Sequence, residues 1–310
     1  MVVVMRFGIV GLGRMGGNLA LRAVEKGHQV VGYARSRERT RELSRAGLEP
    51  ASSLADMVTR LGPPRVVVLY VPHGAPTEEV CQALLPLLSP GDVVADGGNS
   101  HWEDSRRRYR LFAQRGVRFL DVGTSGGIPG ARGGACFMIG GDRDAYEAVV
   151  PLLRDLALDD EAVYYVGPSG AGHFVKLVHN AIEFGMVQAI AEGVEMLLRS
   201  DYQVELPALF RNWLHGSVVR SWLLELMGQA LAENPDLHHL SSYVEDTGEV
   251  KWVLRWALER DIPLPVTSAA QNALMQYRDP GSIAAKAVAL LRHQFGGHPV
   301  HRIAPRGARG

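Results

Sequence analysis

The sequence is poor in cysteine, in net charge and in long apolar runs. Cys81 and Cys136 are the only two cysteines among 310 residues, too few for a disulfide framework and not spaced as metal ligands. Two buried small hydrophobes in a reducing cytoplasm are the expectation for them. Lys+Arg and Asp+Glu are equal at 33 each, so no field of the whole molecule draws nucleic acid, and an anionic ligand needs a local basic cluster. No apolar stretch reaches the roughly 18 residues of a membrane helix. The opening MVVVMRFGIVG lacks the layout of a cleavable signal, because its apolar residues run straight into a glycine motif. The Gly/Arg-rich tail HRIAPRGARG reads as frayed. A soluble cytoplasmic protein is expected, with neither nucleic acid nor membrane as partner.

What is present is enough chain for two domains and a full core, with 46% hydrophobic residues. Val2 to Val10 is short, β-branched and apolar, as in a strand buried on both faces of a parallel sheet. GLGRMG follows it, with Gly11, Gly13 and Gly16 spaced G-x-G-x-x-G at a strand-to-helix junction. In that context the first glycine permits a tight turn, the second lets backbone approach a pyrophosphate, and the third allows close helix packing. The intervening Leu12, Arg14 and Met15 share the loop, whose helix N-terminus offers free N–H groups to phosphate. A glycine turn without a ligand is the plainer alternative.

The second strand, His28 to Ser36, ends in Ala34-Arg35-Ser36. An acidic residue there would bind the ribose 2′-hydroxyl of NAD, whereas arginine suits the 2′-phosphate of NADP. Arg35 and Ser36 therefore favour NADP, with NAD possible; a solvated helix start is the competing reading. Further strands at Val66 to Val71 and Val93 to Asp96, with a helix at Thr77 to Leu88 between them, repeat the βα unit. Val71, the DGGNS run with Asn99, and the loop with Ser125, Gly126 and Gly127 then fall at strand ends, where ligands sit in such sheets. Glycine pairs beside Ser or Asn offer donors to a small oxyanion, and are equally plain turn residues.

From Gly172 the periodicity becomes helical, over Phe174 to Leu198, Val218 to Leu231, Val250 to Ala257, Val266 to Met275 and Ile283 to Phe295. Pro151 to Leu156 and Ala162 to Val166 are expected to lead into this region, and Trp213 to Leu224 to be a structural helix. The expected architecture is an α/β Rossmann-type dinucleotide-binding domain, residues 1–168, followed by an all-α domain, residues 169–310. In GHFVKLVHNAIEFGM, Lys176, His179, Asn180 and Glu183 form one polar stripe on an otherwise apolar helix. A solvated Lys/Glu surface pair would account for it. So would a base and an acid two turns apart, provided desolvation makes the lysine basic at neutral pH.

GLGRMG, DGGNS, the SGG of GTSGGIPGAR, GAGHFVKLVHNAIEFG and RHQFGGH occur in the order that marks the 6-phosphogluconate dehydrogenase family, which the chain resembles, in its short form, from Gly8 to His298. The resemblance implies oxidation of 6-phosphogluconate at C3, loss of C1 as CO2 and release of ribulose 5-phosphate, without a metal. It makes Lys176 the general base and Glu183 the acid for the enediol. Asn99, Ser125, Gly126, Gly127, His179 and Asn180 would hold the sugar acid, with Asn99 also at the cofactor. Lys251, Arg292 and His298 would serve its phosphate, the last two from the partner chain of a homodimer, alone or within a tetramer. The long-chain family has a tyrosine after Glu183 that reaches the phosphate, and here Phe184 stands in that place. A related 3-hydroxyacid dehydrogenase or imine reductase, acting on an unphosphorylated acid such as gluconate, is the alternative on the same fold. A nucleotide sensor without catalysis would have no use for Lys176 and Glu183.

Overall fold

The computed structural model describes residues 3–279, 281–284, 287, 288 and 290. In chain order its elements are β1 (Arg6–Val10), α1 (Arg14–Glu25), β2 (Gln29–Tyr33), α2 (Arg37–Ser44), β3 (Glu49–Pro50), α3 (Leu54–Leu61), β4 (Val66–Leu69), α4 (Ala75–Leu84), β5 (Val93–Asp96), α5 (Trp102–Ala113), β6 (Arg118–Ser125), α6 (Gly127–Gly133), β7 (Cys136–Gly140), α7 (Arg143–Leu156) and β8 (Val163–Gly167). Helices α8 (Ala171–Leu198), α9 (Leu206–Leu214), α10 (Trp222–Glu233), α11 (Glu249–Leu258) and α12 (Pro265–Tyr277) complete the described part. By contact density the chain divides at Ala181/Ile182 into two units.

The first unit is built on one sheet in the order β3-β2-β1-β4-β5-β6-β7-β8. Strands β1 to β6 pair in parallel, and β7 runs antiparallel to β6. Val66 and Val68 of β4 enter one apolar cluster while Val67 and Leu69 enter the other. Both faces are thus covered, which explains why the strands read as unbroken apolar runs. The strand order reverses between β1 and β4, and ligands of open α/β sheets bind at that switch point.

Several expectations shift. The first strand begins at Arg6, and the second stops at Tyr33 because Ser36 caps α2 by accepting from Arg39 N. The strand expected to reach Val71 ends at Leu69, and the helix expected over Thr77 to Leu88 runs from Ala75 to Leu84. Pro151 to Leu156 forms the end of α7 and Ala162 to Val166 overlaps β8 at the sheet edge, so both precede the helical region, as expected. Cys81 is buried as expected, but Cys136, first residue of β7, is exposed. The GGIPGARG loop winds into the short α6, entered through Gly126 and Gly127 at φ 114° and 58°, a backbone region open to glycine.

The second unit is helical throughout its described elements. Its core gathers Val194 of α8, Leu206 and Phe210 of α9, and Leu224 and Leu231 of α10. Trp213 to Leu224 is not one helix, since α9 ends at Leu214 and α10 starts at Trp222 behind the Ser221 cap. Val218, expected inside a helix, lies in that connection and is fully exposed. Most of Ile283 to Phe295 lies outside the described residues.

Candidate active site

At the end of β1 the three fingerprint glycines meet three different surroundings. Gly11 has φ 94°, and a Cβ there would stand 2.2 Å from the Tyr70 carbonyl oxygen. A Cβ on Gly16 would stand 2.0 Å from the Gly11 carbonyl oxygen. Gly13 faces open space, with nothing within 4 Å of a Cβ. Two glycines therefore close the turn and seat α1, and the middle one keeps a cleft free. Leu12 is buried beneath the loop, whereas Arg14 is exposed and Met15 half-buried on the first turn of α1. No side chain caps α1 and its first turn holds no acid, which leaves its N–H groups and positive end for an anion.

A cleft of about 350 Å³ opens there, lined among others by Gly11, Gly13, Tyr33, Arg35, Ser36 and Val71. Tyr70, Pro76, Glu79 and Val80 line it as well; sequence spacing did not reveal them, since they reach the cleft only through the β1/β4 pairing. The open face of Gly13, the uncapped helix and the exposed Arg35 suit a dinucleotide. Arg39 is otherwise engaged, donating to Leu12 O at 3.1 Å and pairing with Glu42 at 2.7 Å.

The DGGNS loop is clamped from below. Asp96 is completely buried and accepts from Gly98 N at 3.0 Å, Ser100 Oγ at 2.9 Å and Arg108 at 3.2 Å. The equally buried Arg108 also reaches Glu78 at 3.2 Å. Arg107 first, and Arg108 after it, hold the Glu78 carboxyl below its ordinary range against the effect of burial. Asn99, half-buried, is the polar side chain this clamp carries beyond the end of β5.

Helix α8 is seated on β6 and β7 by glycines. A Cβ on Gly123 would lie 2.6 Å from Lys176 Cβ, and one on Gly172 would lie 2.2 Å from the Asp121 carbonyl oxygen. Asp121, fully buried, accepts from Gly170 N at 2.7 Å and His173 N at 2.9 Å. A carboxylate on β6 thus satisfies donors at the start of α8 and complements its positive end. His173 Nδ1 meets Ser105 Oγ at 2.7 Å, tying the same turn to α5.

That seating buries Lys176 to 9% exposure. Its Nζ donates to Asn180 Oδ1 at 2.8 Å and stands 3.3 Å from His179 Nδ1, while His179 Nε2 lies 3.1 Å from Ser125 Oγ. When Lys176 is an ammonium, Nδ1 must accept and Nε2–H must donate to the serine. Lys176, His179, Asn180 and Ser125 are therefore one hydrogen-bonded group within the first unit. Glu183 and Phe184 follow on the same helix, where α8 has entered the second unit. Seven residues of helix separate Glu183 from Lys176, about 10 Å along the axis.

Lys251, on α11, pairs with Asp246 at 2.6 Å, and Arg278 lies 3.5 Å from the same carboxylate. Burial works against the charge of Asp246, but Lys251 and Gly248 N–H hold its carboxyl below the ordinary range. Arg292 and His298 lie outside the described residues. Among the described residues no three side chains are grouped as metal ligands, and no helix is long and apolar enough to cross a membrane.

Comparison with known proteins places the fold in a family. The NAD binding domain of 6-phosphogluconate dehydrogenase matches residues 6–167, and the C-terminal domain of that enzyme matches residues 172–201. The putative 6-phosphogluconate dehydrogenase YqeC of Bacillus subtilis is 41% identical over 96% of this chain and 100% of its own length. An NAD(+)-dependent, decarboxylating 6-phosphogluconate dehydrogenase of Haloferax volcanii is 38% identical over 96% of this chain and 99% of its own. Among solved structures, the Plasmodium falciparum 6-phosphogluconate dehydrogenase, described apo, with NADP+ and with 6-phosphogluconate, superposes with a TM-score of 0.82 at 30% identity, covering 98% of this chain and 67% of that one. A Mycobacterium tuberculosis 3-hydroxyisobutyrate dehydrogenase shares the fold, at TM-score 0.72 and 21% identity, with 90% and 95% covered. A family model over more than half of the chain, and relatives of 41% and 38% identity over nearly its whole length, show that this chain belongs to the 6-phosphogluconate dehydrogenase family.

Proposed function

We infer that the chain catalyses the oxidative decarboxylation of 6-phosphogluconate to ribulose 5-phosphate and CO2. The observation that carries this reading is the group around Lys176: a buried amine, hydrogen-bonded to Asn180 and His179, with His179 reaching Ser125. A lysine serves as general base where water is excluded from it, and this burial meets that requirement.

A bound nicotinamide dinucleotide supplies the hydride acceptor. Lys176 takes the C3 hydroxyl proton as hydride leaves C3, which produces a ketone next to the carbon bearing the carboxylate. The C1–C2 bond then breaks, CO2 departs, and the electron pair passes into the C2–C3 enediol, whose oxygen receives the proton back from Lys176. Glu183 protonates the former C2, now C1 of the pentulose, while Lys176 takes the hydroxyl proton back from the enediol oxygen at the former C3, which completes the tautomerisation to the ketone. Asn99, Ser125, Gly126, Gly127, His179 and Asn180 hold the sugar acid. On the cofactor side Gly11 to Gly16, Arg35, Ser36, Val71 and Asn99 contact the dinucleotide. Exposed Arg35 with Ser36 at the lip of the cleft favours NADP, and NAD fits the same cleft.

For the phosphate, Lys251 is the described cation, and its pairing with Asp246 tempers its charge. Arg292 and His298 of a partner chain supply the remainder, so a homodimer, alone or within a tetramer, is the working assembly. Exposed Ile182, Met186, Val187 and Met196 on the second-unit part of α8 support it, since a run of large exposed apolar residues marks an interaction surface. A cytoplasmic location suits such an enzyme. The test supplies 6-phosphogluconate or gluconate with NADP or NAD and follows reduced nucleotide together with CO2. Turnover of the phosphorylated acid with equal yields of both is expected. Reduced nucleotide without CO2 would instead place the chain with the plain 3-hydroxyacid dehydrogenases.

A further inference from the structure

Tyr70, at the end of β4, touches each of the loops that carry the candidate chemistry. Its backbone oxygen stands where a Cβ on Gly11 would fall, and its own Cβ lies 2.8 Å from where one on Gly16 would be. Its ring lies over Gly97, the residue after β5, where an added Cβ would lie 2.5 Å from Cζ. Beyond Gly97 the phenol oxygen meets Thr124 Oγ1 of β6 at 2.9 Å, and Thr124 Oγ1 lies 3.3 Å from Val122 O. The chain of donors then runs from the phenol to Thr124 and from Thr124 to the Val122 carbonyl, so the phenol must keep its proton. Desolvation raises the Tyr70 phenol well above its ordinary range, with Thr124 opposing.

The strand order explains what this bond can do. Tyr70 directly follows β4 and Thr124 lies on β6, with β5 between those strands, so one hydroxyl pair ties the ends of two strands that are not neighbours in the sheet. On the near side Tyr70 lines the dinucleotide cleft. On the far side Thr124 adjoins Ser125, whose hydroxyl meets His179 beside Lys176. Under the strap lies Gly97, two residues before Asn99.

We propose that Tyr70 is a positioning residue for hydride transfer: its hydroxyl bond to Thr124 holds the cofactor floor, the DGGNS loop and the substrate strand at one fixed spacing. Hydride transfer depends steeply on the distance between donor and acceptor carbons, so loss of this strap acts on the chemical step rather than on binding. The inference rests on the functional reading above.

The experiment compares wild type, Tyr70→Phe, Thr124→Val and the double variant, with 6-phosphogluconate carrying hydrogen or deuterium at C3. Phenylalanine keeps the ring over Gly97 and removes only the hydroxyl. Each single variant should lose about 3- to 10-fold in kcat, with an increased isotope effect on kcat and little change in KM for the dinucleotide. The double variant should be no slower than the slower single one, since both remove the same bond. Thr124→Ser, which retains the hydroxyl, should restore most of the rate and covers the case in which valine impairs folding. Unchanged kcat and isotope effect in Tyr70→Phe, or additive losses in the double variant, would overturn the proposal. No turnover by the wild type would instead remove the functional reading itself.

Discussion

Gly123 of β6 and Lys176 of α8 are so closely apposed that a side chain on one leaves no room for the other: an added Cβ on Gly123 would stand 2.6 Å from Lys176 Cβ and 2.8 Å from Gly172 O. The lysine is buried because the strand beneath it has no side chain at that point. Gly123→Ala should therefore displace α8, costing about 1–3 kcal/mol in stability and a larger share of turnover than of cofactor affinity. Chemical denaturation and steady-state kinetics on one preparation would check it; an alanine variant of full stability and rate would show that the helix has slack.

Lys176→Met keeps the length of the side chain and removes its amine. Hydride transfer should fall by roughly 100- to 10,000-fold, while dinucleotide binding followed by fluorescence persists. A variant that still reduces the nucleotide at near the normal rate would exclude Lys176 as the base.

Glu183→Gln should separate the two halves of the reaction. Nucleotide reduction depends on Lys176, whereas proton delivery to the enediol carbon is the task assigned to Glu183. Pentulose formation, followed by a coupled assay, should therefore lag behind nucleotide reduction in single turnover. Equal rates for both in the variant would take the acid role away from Glu183.

The Asp96–Arg108 pair is buried on both sides, with the atoms 3.2 Å apart. Arg108→Met leaves the buried Asp96 without its cationic partner and loosens the clamp beneath the DGGNS loop. Breaking a buried pair in this way costs about 3–5 kcal/mol, read as a lower denaturation midpoint, with a raised KM for the sugar acid through Asn99. A midpoint within experimental error of wild type would mean that Asp96 finds compensation elsewhere.

His28 gives the fold a pH dependence of definite sign. Its side chain is buried, its Nδ1 accepts from Met5 N at 3.1 Å, and Nε2 lies 3.2 Å from Asp155 without hydrogen-bond alignment. Burial pushes the imidazole below its ordinary value, with the Asp155 charge opposing. The unfolded chain takes up the proton near pH 6.5, at about the ordinary histidine value, before the folded chain does. The stabilising contribution is therefore complete above about pH 6.5 and declines as the pH falls toward the lower folded value. Urea unfolding between pH 5 and 7.5 should show a steeper loss toward acid in wild type than in His28→Gln. Parallel curves for the two proteins would assign the slope to other groups.

Much of this protein is legible along the chain. The glycine fingerprint, the DGGNS run and the Lys176, His179, Asn180 and Glu183 stripe are local signals, because turn chemistry and helical periodicity act over a few residues. The same signals separate the α/β region from the helical one. Where they misled, the cause was also physical. Trp213 to Leu224 carries an apolar pattern that reads as one helix, but α9 ends at Leu214 and the Ser221 cap starts a new helix at Trp222. Cys136, at the first position of β7, is exposed, since burial depends on the neighbours that cover a residue and not on its type.

What only the tertiary structure decided are the contacts between residues far apart in sequence. Asp121 capping α8 spans 49 and 52 residues, and Tyr70 reaching Thr124 spans 54. No periodicity announces such pairs, since they follow from which strands become neighbours and from which glycines let elements close to contact distance. Residue types and their order determined that a dinucleotide fold would be followed by a helix bearing an amine and a carboxylate. Packing of β6 against α8 decided that the amine would be withdrawn from water, because burial is a property of neighbours and not of the residue buried.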